Sequence, residues 1–195
     1  MTMGKLKVKK TKLADVLIIE PAVFGDHRGF FTESYSQADL KEAGIDHDFV
    51  QDNHSFSVEA GVLRGLHFQK GEAAQTKLIR VVSGAVLDVI VDIRKGSPSY
   101  GQWEGYILSE SNHRQLLVPK GFAHGFVTLT PNVNFLYKCD NYYNAQADAG
   151  IAFDDPDLAI DWPIAKEQAI LSEKDQHHPT LKAFEAENTF VYGEI

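Results

Sequence analysis

Short runs of apolar and β-branched residues, separated by turn residues, dominate the chain between residues 15 and 139. Their length and two-residue alternation predict β-strands more readily than helices. The predicted strands are 15–20, 30–35, 49–55, 62–68, 77–82, 85–93, 103–108, 114–118, 122–129 and 134–139. Many short strands with turns between them predict an all-β protein that closes into an antiparallel barrel or jelly roll.

Helical signals are sparse in this pattern. Ser36 is a suitable N-cap, Asp39 follows at capping-box spacing, and Gly44 can end a short helix near Ala43. From residue 154 onward the chain is irregular, with one short possible helix before Leu171. Residues 1–12 form a polar, lysine-rich N-terminal extension. No repeat or linker interrupts the chain, so we expect residues 1–195 to form a single domain.

Composition narrows the class of protein. The chain has 195 residues, 44% of them hydrophobic, which is enough for a sizeable core. The net charge of −8 argues against nucleic-acid or anionic-membrane partners. The single cysteine, Cys139, excludes an internal disulfide and suits a reducing compartment. We see no signal peptide and no apolar run of about 18 residues, so we expect a cytoplasmic protein.

Several ionisable side chains share a strand face with apolar residues. Each of them alone is more often structural than functional, but polar groups that converge in one apolar barrel interior are typical of a ligand site. These inward-facing positions are Lys77, Asp88, Asp92, His124 and Tyr137.

Arg64 and His67 lie in the apolar run 62–68, where ionisable groups are costly to bury. They have opposite strand parity, so a regular strand would direct them to opposite faces. Gly65 lies between them and is suited to a bulge. We therefore expect a local irregularity near Gly65 that brings both side chains into one cavity.

The motifs present exclude several kinds of site. Residues 119–124 fit the second metal-binding motif of cupin barrels, but His67-Phe68-Gln69 supplies one histidine where the first motif needs two. A tight transition-metal site would lack a ligand, so we predict no metal. P-loop, G-x-G-x-x-G and G-x-S-x-G motifs are also lacking. The remaining His, Lys, Tyr, Asp and Arg groups suit proton transfer at a carbon next to a carbonyl.

Long motifs in a fixed order show a resemblance to a known family. They include 24–34, 51–55, 62–69, 88–98, 119–126 and the pair Tyr137-Lys138. From about residue 15 to residue 175 the chain resembles the dTDP-4-dehydrorhamnose 3,5-epimerases. That resemblance implies a cupin-type jelly-roll β-barrel with short peripheral helices, and an enzyme that needs no cofactor.

The resemblance also implies catalytic roles for individual residues. His67 would remove the protons at C3 and C5 of a dTDP-4-keto-6-deoxy-hexose, and Asp175 would orient it. Tyr137 would return the proton from the opposite face. Lys77 would lie near the C4 oxygen. The implied substrate-binding residues are Arg28, Glu33, Gln51, Asp52, Asn53, Arg64, His124, Asp148 and Lys174.

The resemblance further implies a homodimer in which Arg28 and Glu33 reach the partner's site. Asp148 stands where the family often has Glu, and its shorter side chain changes the nucleotide contact that the resemblance implies for this position. Leu117 replaces a usual Trp. Three alternatives remain: an epimerase that inverts one carbon only or acts on a related dTDP-4-keto-6-deoxy sugar, a non-catalytic nucleotide-sugar binder, and a metal cupin.

Overall fold

The computed structural model describes residues 6–194, which contain thirteen strands and two short α-helices. The strands are β1 Leu6–Lys10, β2 Leu17–Pro21, β3 Val23–Asp26, β4 Gly29–Thr32, β5 Gln51–Ser57, β6 Leu63–Gln69, β7 Lys77–Ser83, β8 Ala85–Asp92, β9 Trp103–Ser109, β10 Gln115–Val118, β11 Phe122–Thr128, β12 Val133–Cys139 and β13 Asp148–Gly150. The helices are α1 Gln37–Glu42 and α2 Leu181–Phe184.

Two antiparallel sheets face each other across an apolar core. One has the strand order β1-β2-β10-β7-β12-β5, and the other has the order β13-β6-β11-β8-β9. Ile79, Ile90, Phe126 and Phe135 meet between the sheets and are almost fully buried. This arrangement confirms the predicted all-β jelly roll, and it places every second residue of the central strands in the barrel interior.

The C-terminal segment covers the outer face of the five-stranded sheet. Phe184 of α2 and Phe190 pack there on Phe68, with ring centroids 5.0 and 6.0 Å away. The C-terminal segment therefore forms a second apolar layer with this sheet. Among residues 6–194 no helix is long and apolar enough to cross a membrane.

Each of the ten predicted strands corresponds to an observed strand, with ends that differ by three residues or fewer. The helix after Ser36 is also confirmed, and the Ser36 hydroxyl accepts the Asp39 N–H at 3.3 Å. Three strands were not predicted, namely β1, β3 and β13. β1 lies within the predicted polar extension, where Leu6–Lys10 pairs with β2. The rest of that extension up to residue 5 lies outside the described residues.

Candidate active site

A cavity of about 290 Å³ opens between the two sheets at one end of the barrel. Phe126 and Phe135 form part of its apolar wall. Eight of the predicted site residues line it: Arg64, His67, Lys77, His124, Tyr137, Asp148, Lys174 and Asp175. Because these residues come from both sheets and from the C-terminal segment, the fold, and not sequence proximity, assembles the site.

Arg64 and His67 reach this cavity together because β6 is irregular. In the pairing with β11, His67 lies opposite His124 while Arg64 lies opposite Phe126, so β6 contains one extra residue. Gly65 has a φ of +139°, and a Cβ at this position would lie 2.5 Å from the Cα of Gly125. Only glycine fits so close to a neighbouring backbone. The irregularity predicted near Gly65 is confirmed.

His67 is held by a buried carboxylate. Its Nε2 lies 2.5 Å from Oδ1 of Asp175, whose side chain is 3% exposed, against 31% for His67. Asp175 is in a 3-10 turn, Lys174–Gln176, and its backbone N–H donates to the Ser172 hydroxyl at 3.2 Å. Charge-assisted hydrogen bonds of this kind fix both the ring orientation and the tautomer of a histidine.

The electrostatics of this pair favour a neutral imidazole. Burial lowers the pKa of His67 below its ordinary value, although Asp175 opposes that effect. Burial alone would raise the pKa of Asp175, but the adjacent rings of His178 and His67 bring it well below its usual range. Asp175 is therefore ionised and accepts the Nε2–H of His67. Nδ1 keeps its lone pair, so His67 can act as a base.

Tyr137 and Lys77 come from the opposite sheet. They lie on the neighbouring strands β12 and β7, and Nζ of Lys77 is 5.7 Å from the centroid of the Tyr137 ring. Burial raises the pKa of Tyr137 to about 12, so its hydroxyl keeps its proton at neutral pH. Burial lowers the pKa of Lys77. A ligand between the sheets would thus have a base on one side and a proton donor with a cation on the other.

His124 forms a second histidine–carboxylate pair inside the barrel. Its Nε2 lies 2.9 Å from Oδ2 of Asp88, which is fully buried. Burial raises the pKa of Asp88, while His124 opposes the shift. Strand parity directed Asp88 inward, yet Asp88 was not among the predicted site residues. Asp92 lies four residues further along β8 and has the same strand parity. It accepts hydrogen bonds from Arg94, and its role is structural.

A polar cluster borders the mouth of the cavity. Asp148 contacts Lys174, and it accepts weaker hydrogen bonds from the Tyr143 hydroxyl at 3.3 Å and from Gln69 at 3.4 Å. The shorter aspartate therefore still reaches the cavity. Gln69 and Tyr143 were not predicted, although Gln69 has the strand parity of His67 and could have been included on that ground.

Gln51 and Asn53 adjoin the cavity without lining it. Asn53 lies opposite Tyr137 in the β5–β12 pairing, and its amide donates to the Cys139 sulfur at 3.6 Å. Gln51 donates to Asn53 at 3.2 Å and accepts the backbone N–H of Tyr143 at 3.0 Å. Both residues are placed to support groups that face the cavity.

Three predicted binding residues are not brought to this cavity. Asp52 alternates to the outer face of β5, is 73% exposed and pairs with Lys138 at 2.9 Å, so it lies outside this cavity and its role in substrate binding stays a prediction. Arg28 lies in the β3–β4 hairpin, where it pairs with Asp26 at 2.5 Å. Glu33 follows the same hairpin. For Arg28 and Glu33, a role in a partner's site stays a prediction.

A larger cavity, of about 650 Å³, lies outside the barrel near Leu13 and Leu117. Most of its charged groups are already paired: Arg94 with Asp92 and Asp15, and both His47 and Lys120 with Asp140. Size alone does not make this cavity a reaction site, because it offers neither a base nor a proton donor in an apolar setting.

Metal-ligating groups also come together within the described residues. His67, Asp175 and His178 each offer one ligand atom, and these atoms all lie within 4.8 Å of one another. The first cupin motif contributes only His67 to this group, and His124 of the second motif is bound to Asp88 instead.

Comparison with known proteins assigns the sequence to one family. The family model described as dTDP-4-dehydrorhamnose 3,5-epimerase matches residues 10–183. The dTDP-4-dehydrorhamnose 3,5-epimerase of Salmonella typhimurium is 54% identical over 175 residues, 89% of this chain and 94% of that protein.

Two solved structures extend the match to the fold. The Bacillus anthracis dTDP-4-dehydrorhamnose 3,5-epimerase, with TDP and PPi bound, is 57% identical with a TM-score of 0.87, covering 90% of this chain and 99% of that one. A Legionella pneumophila dTDP-6-deoxy-D-glucose-3,5-epimerase, in complex with dTDP-4-keto-L-rhamnose, is 47% identical with a TM-score of 0.91, covering 96% and 98%. The chain belongs to the dTDP-4-dehydrorhamnose 3,5-epimerase family of isomerases.

Proposed function

We propose that the chain converts dTDP-4-dehydro-6-deoxy-D-glucose to dTDP-4-dehydro-L-rhamnose by inverting C3 and C5, without a cofactor. One observation carries the proposal. A histidine base fixed by Asp175 on one sheet and the Tyr137 hydroxyl on the other line the same cavity. Inversion at carbon needs a base and an acid on opposite faces of the substrate, and this arrangement supplies both.

The reaction proceeds by proton transfer next to the C4 carbonyl. His67 takes a proton from C5 or C3 and becomes imidazolium, which Asp175 stabilises at 2.5 Å. The electron pair moves onto the C4 oxygen, and the Lys77 cation stabilises the enolate in a water-poor barrel. Tyr137 then protonates the carbon from the opposite face. Solvent reprotonates Tyr137 and removes the proton from His67, so no atom is gained or lost.

The diphosphate of the substrate would lie at the cavity mouth. Arg64 and Lys174 line the cavity and supply local positive charge, although the chain as a whole carries −8. Cations that converge locally can bind phosphate oxygens in an acidic protein. Asp148 contacts Lys174 at this mouth of the cavity.

A coupled assay tests this function. The purified chain is mixed with dTDP-4-dehydro-6-deoxy-D-glucose and a reductase that accepts dTDP-4-dehydro-L-rhamnose, and nicotinamide oxidation is followed. We expect turnover only when the chain is present. An epimerase that inverts one carbon would use the same base and acid. A product inverted at C3 or C5 alone would therefore replace the double epimerase by this second candidate.

We further propose that the chain works as a homodimer. The β3–β4 hairpin carries Phe24, Phe30 and Phe31, which are 47%, 61% and 65% exposed. Phe30 and Phe31 are adjacent on one strand and point to opposite faces, so both faces of the hairpin are apolar. Such a surface is typical of a protein interface. A partner's site within reach of this hairpin would receive Arg28.

Subunit mixing tests that proposal. We expect Arg28→Ala and His67→Ala to be impaired separately, and an equal mixture refolded together to recover about a quarter of the wild-type sites. In a mixed dimer, one site receives His67 from one subunit and Arg28 from the other. Turnover at subsaturating substrate is the measurement, and the unmixed variants are the controls. No recovery in a verified mixed dimer would place Arg28 outside the partner's site.

We also infer that residues 1–195 form one domain that works in the cytoplasm, without nucleic-acid or membrane partners. The single cysteine suits a reducing compartment, and its burial beside Asn53 is consistent with a thiol that stays reduced. The negative net charge disfavours both classes of anionic partner.

The alkaline limb of the pH profile should depend on Lys77. Because burial lowers the pKa of Lys77 below its ordinary value of 10.5, the cation is lost as pH rises through that lowered value. Tyr137, with a pKa of about 12, keeps its proton over this range. As pH rises, we expect kcat/KM of the wild type to decline with a midpoint lower than pH 10.5. In Lys77→Arg this decline should move to higher pH, because guanidinium stays charged.

The measurement is kcat/KM against pH for both proteins. The arginine variant should also lose on the order of tenfold in activity at neutral pH, because its larger head group fits the site less well. An alkaline limb at the same pH in Lys77→Arg would show that another group controls it.

A further inference from the structure

The proposed reaction does not account for His178. Its Nε2 lies 3.4 Å from Oδ1 of Asp175, and its ring meets the His67 ring edge-on, with centroids 5.4 Å apart. The side chain is only 8% exposed, yet its Nε2 makes no hydrogen bond. A buried nitrogen whose nearest polar contact is this long one, without a well-formed hydrogen bond, is uncommon in a folded protein and requires an explanation.

The backbone holds His178 in this position. Gly150 of β13 lies against the ring, and a Cβ at Gly150 would come within 2.5 Å of it. Gly150 in turn pairs with His67 across β13 and β6. The strand that borders the base therefore also leaves the space for a second imidazole beside the same carboxylate.

We propose that His67, Asp175 and His178 form a binding site for Zn²⁺ or a similar late transition metal, and that occupancy of this site inhibits the enzyme. Two histidines and one carboxylate, with ligand atoms within 4.8 Å of one another, match the protein ligand set of open zinc sites. The fourth position would face the cavity, where His67 is partly exposed. Nitrogen ligands disfavour Mg²⁺ and Ca²⁺.

The inhibition follows from the tautomer of His67 and rests on the proposed function. In the active site as described, the imidazole carries its proton on Nε2 and accepts the substrate's proton on Nδ1. A metal on Nε2 moves the ring proton to Nδ1, so no lone pair remains there. The metal also takes the Asp175 oxygen that stabilises the imidazolium. Metal binding and catalysis thus exclude each other.

Calorimetry with the metal alone tests the site. Chelator-treated wild type is titrated with ZnCl₂, beside His178→Gln and the matched control His177→Gln. His177 is exposed, and its Nδ1 contacts the Glu173 carbonyl at 2.7 Å, outside the cluster. We expect one Zn²⁺ per chain, binding at least about tenfold weaker in His178→Gln and unchanged in His177→Gln. MgCl₂ should produce no binding heat.

Turnover in the presence of Zn²⁺ is the second measurement. We expect inhibition of the wild type, with an inhibition constant that tracks the calorimetric Kd, and full recovery on adding chelator. Thermal unfolding of His178→Gln and His178→Asn verifies that each variant is folded. Unchanged Zn²⁺ affinity in both folded variants, or saturating Zn²⁺ without loss of turnover, would overturn the proposal. A wild type inactive on the keto sugar would instead refute the proposed function, while calorimetry would still decide the metal site.

Discussion

Replacing His67 by asparagine is expected to lower kcat by about 10³-fold, because the variant keeps a polar side chain but has no base at the substrate carbon. Asp175 would still be buried, now beside an amide that cannot be protonated. The effect should fall on kcat more than on KM, since the nucleotide contacts remain. Initial rates in the coupled assay over a range of substrate concentrations measure both constants.

The matched control is His54→Asn. His54 is on the outer face of β5, where its Nε2 lies 2.8 Å from Oδ1 of Asn134, away from the cavity. We expect this variant to keep activity within a few-fold of wild type. If His67→Asn is folded by thermal unfolding and retains more than about a tenth of wild-type kcat, the base is another group.

Tyr137→Phe is expected to separate proton removal from inversion. Its kcat for epimerisation should fall by about 10²-fold, because the apolar ring remains but the proton donor on the second sheet is lost. His67 is unchanged and can take a proton, exchange it with solvent and return it to the same face. In D2O the variant should therefore incorporate deuterium into the substrate faster than it forms the epimer.

Nuclear magnetic resonance of the substrate pool measures both events in one sample. The control Tyr106→Phe removes a partly buried hydroxyl that donates to Glu104 at 2.7 Å, outside the cavity, and should exchange and invert together like the wild type. If Tyr137→Phe loses exchange and inversion to the same extent, Tyr137 acts in proton removal and does not serve as the acid.

Strand periodicity was sufficient to predict much of the fold and part of the site. A two-residue alternation directs Lys77, His124 and Tyr137 into the barrel whatever the details of the loops, and the structure places all three there. The same alternation places Gln51 and Asn53 inward and Asp52 outward. Asp52 was included because of the family motif and not because of this alternation, and its binding role stays a prediction.

Other features could not be read from local sequence. An edge strand that faces solvent needs no apolar alternation. β1 is such a strand, and its lysine-rich sequence therefore resembles that of a loop. Asp175 lies 108 residues beyond His67, in a turn without periodicity, so only the resemblance pointed to it. His178 had neither a motif nor a strand pattern to mark it. Long-range packing alone brings it to Asp175.

The most direct test of the central claim is the position of deuterium in the product formed in D2O. Wild-type chain and dTDP-4-dehydro-6-deoxy-D-glucose are incubated in D2O, and the isolated product is examined by nuclear magnetic resonance. If one base and one acid act on opposite faces at both carbons, dTDP-4-dehydro-L-rhamnose carries deuterium at C3 and at C5. Inversion with deuterium at one carbon only would contradict the account.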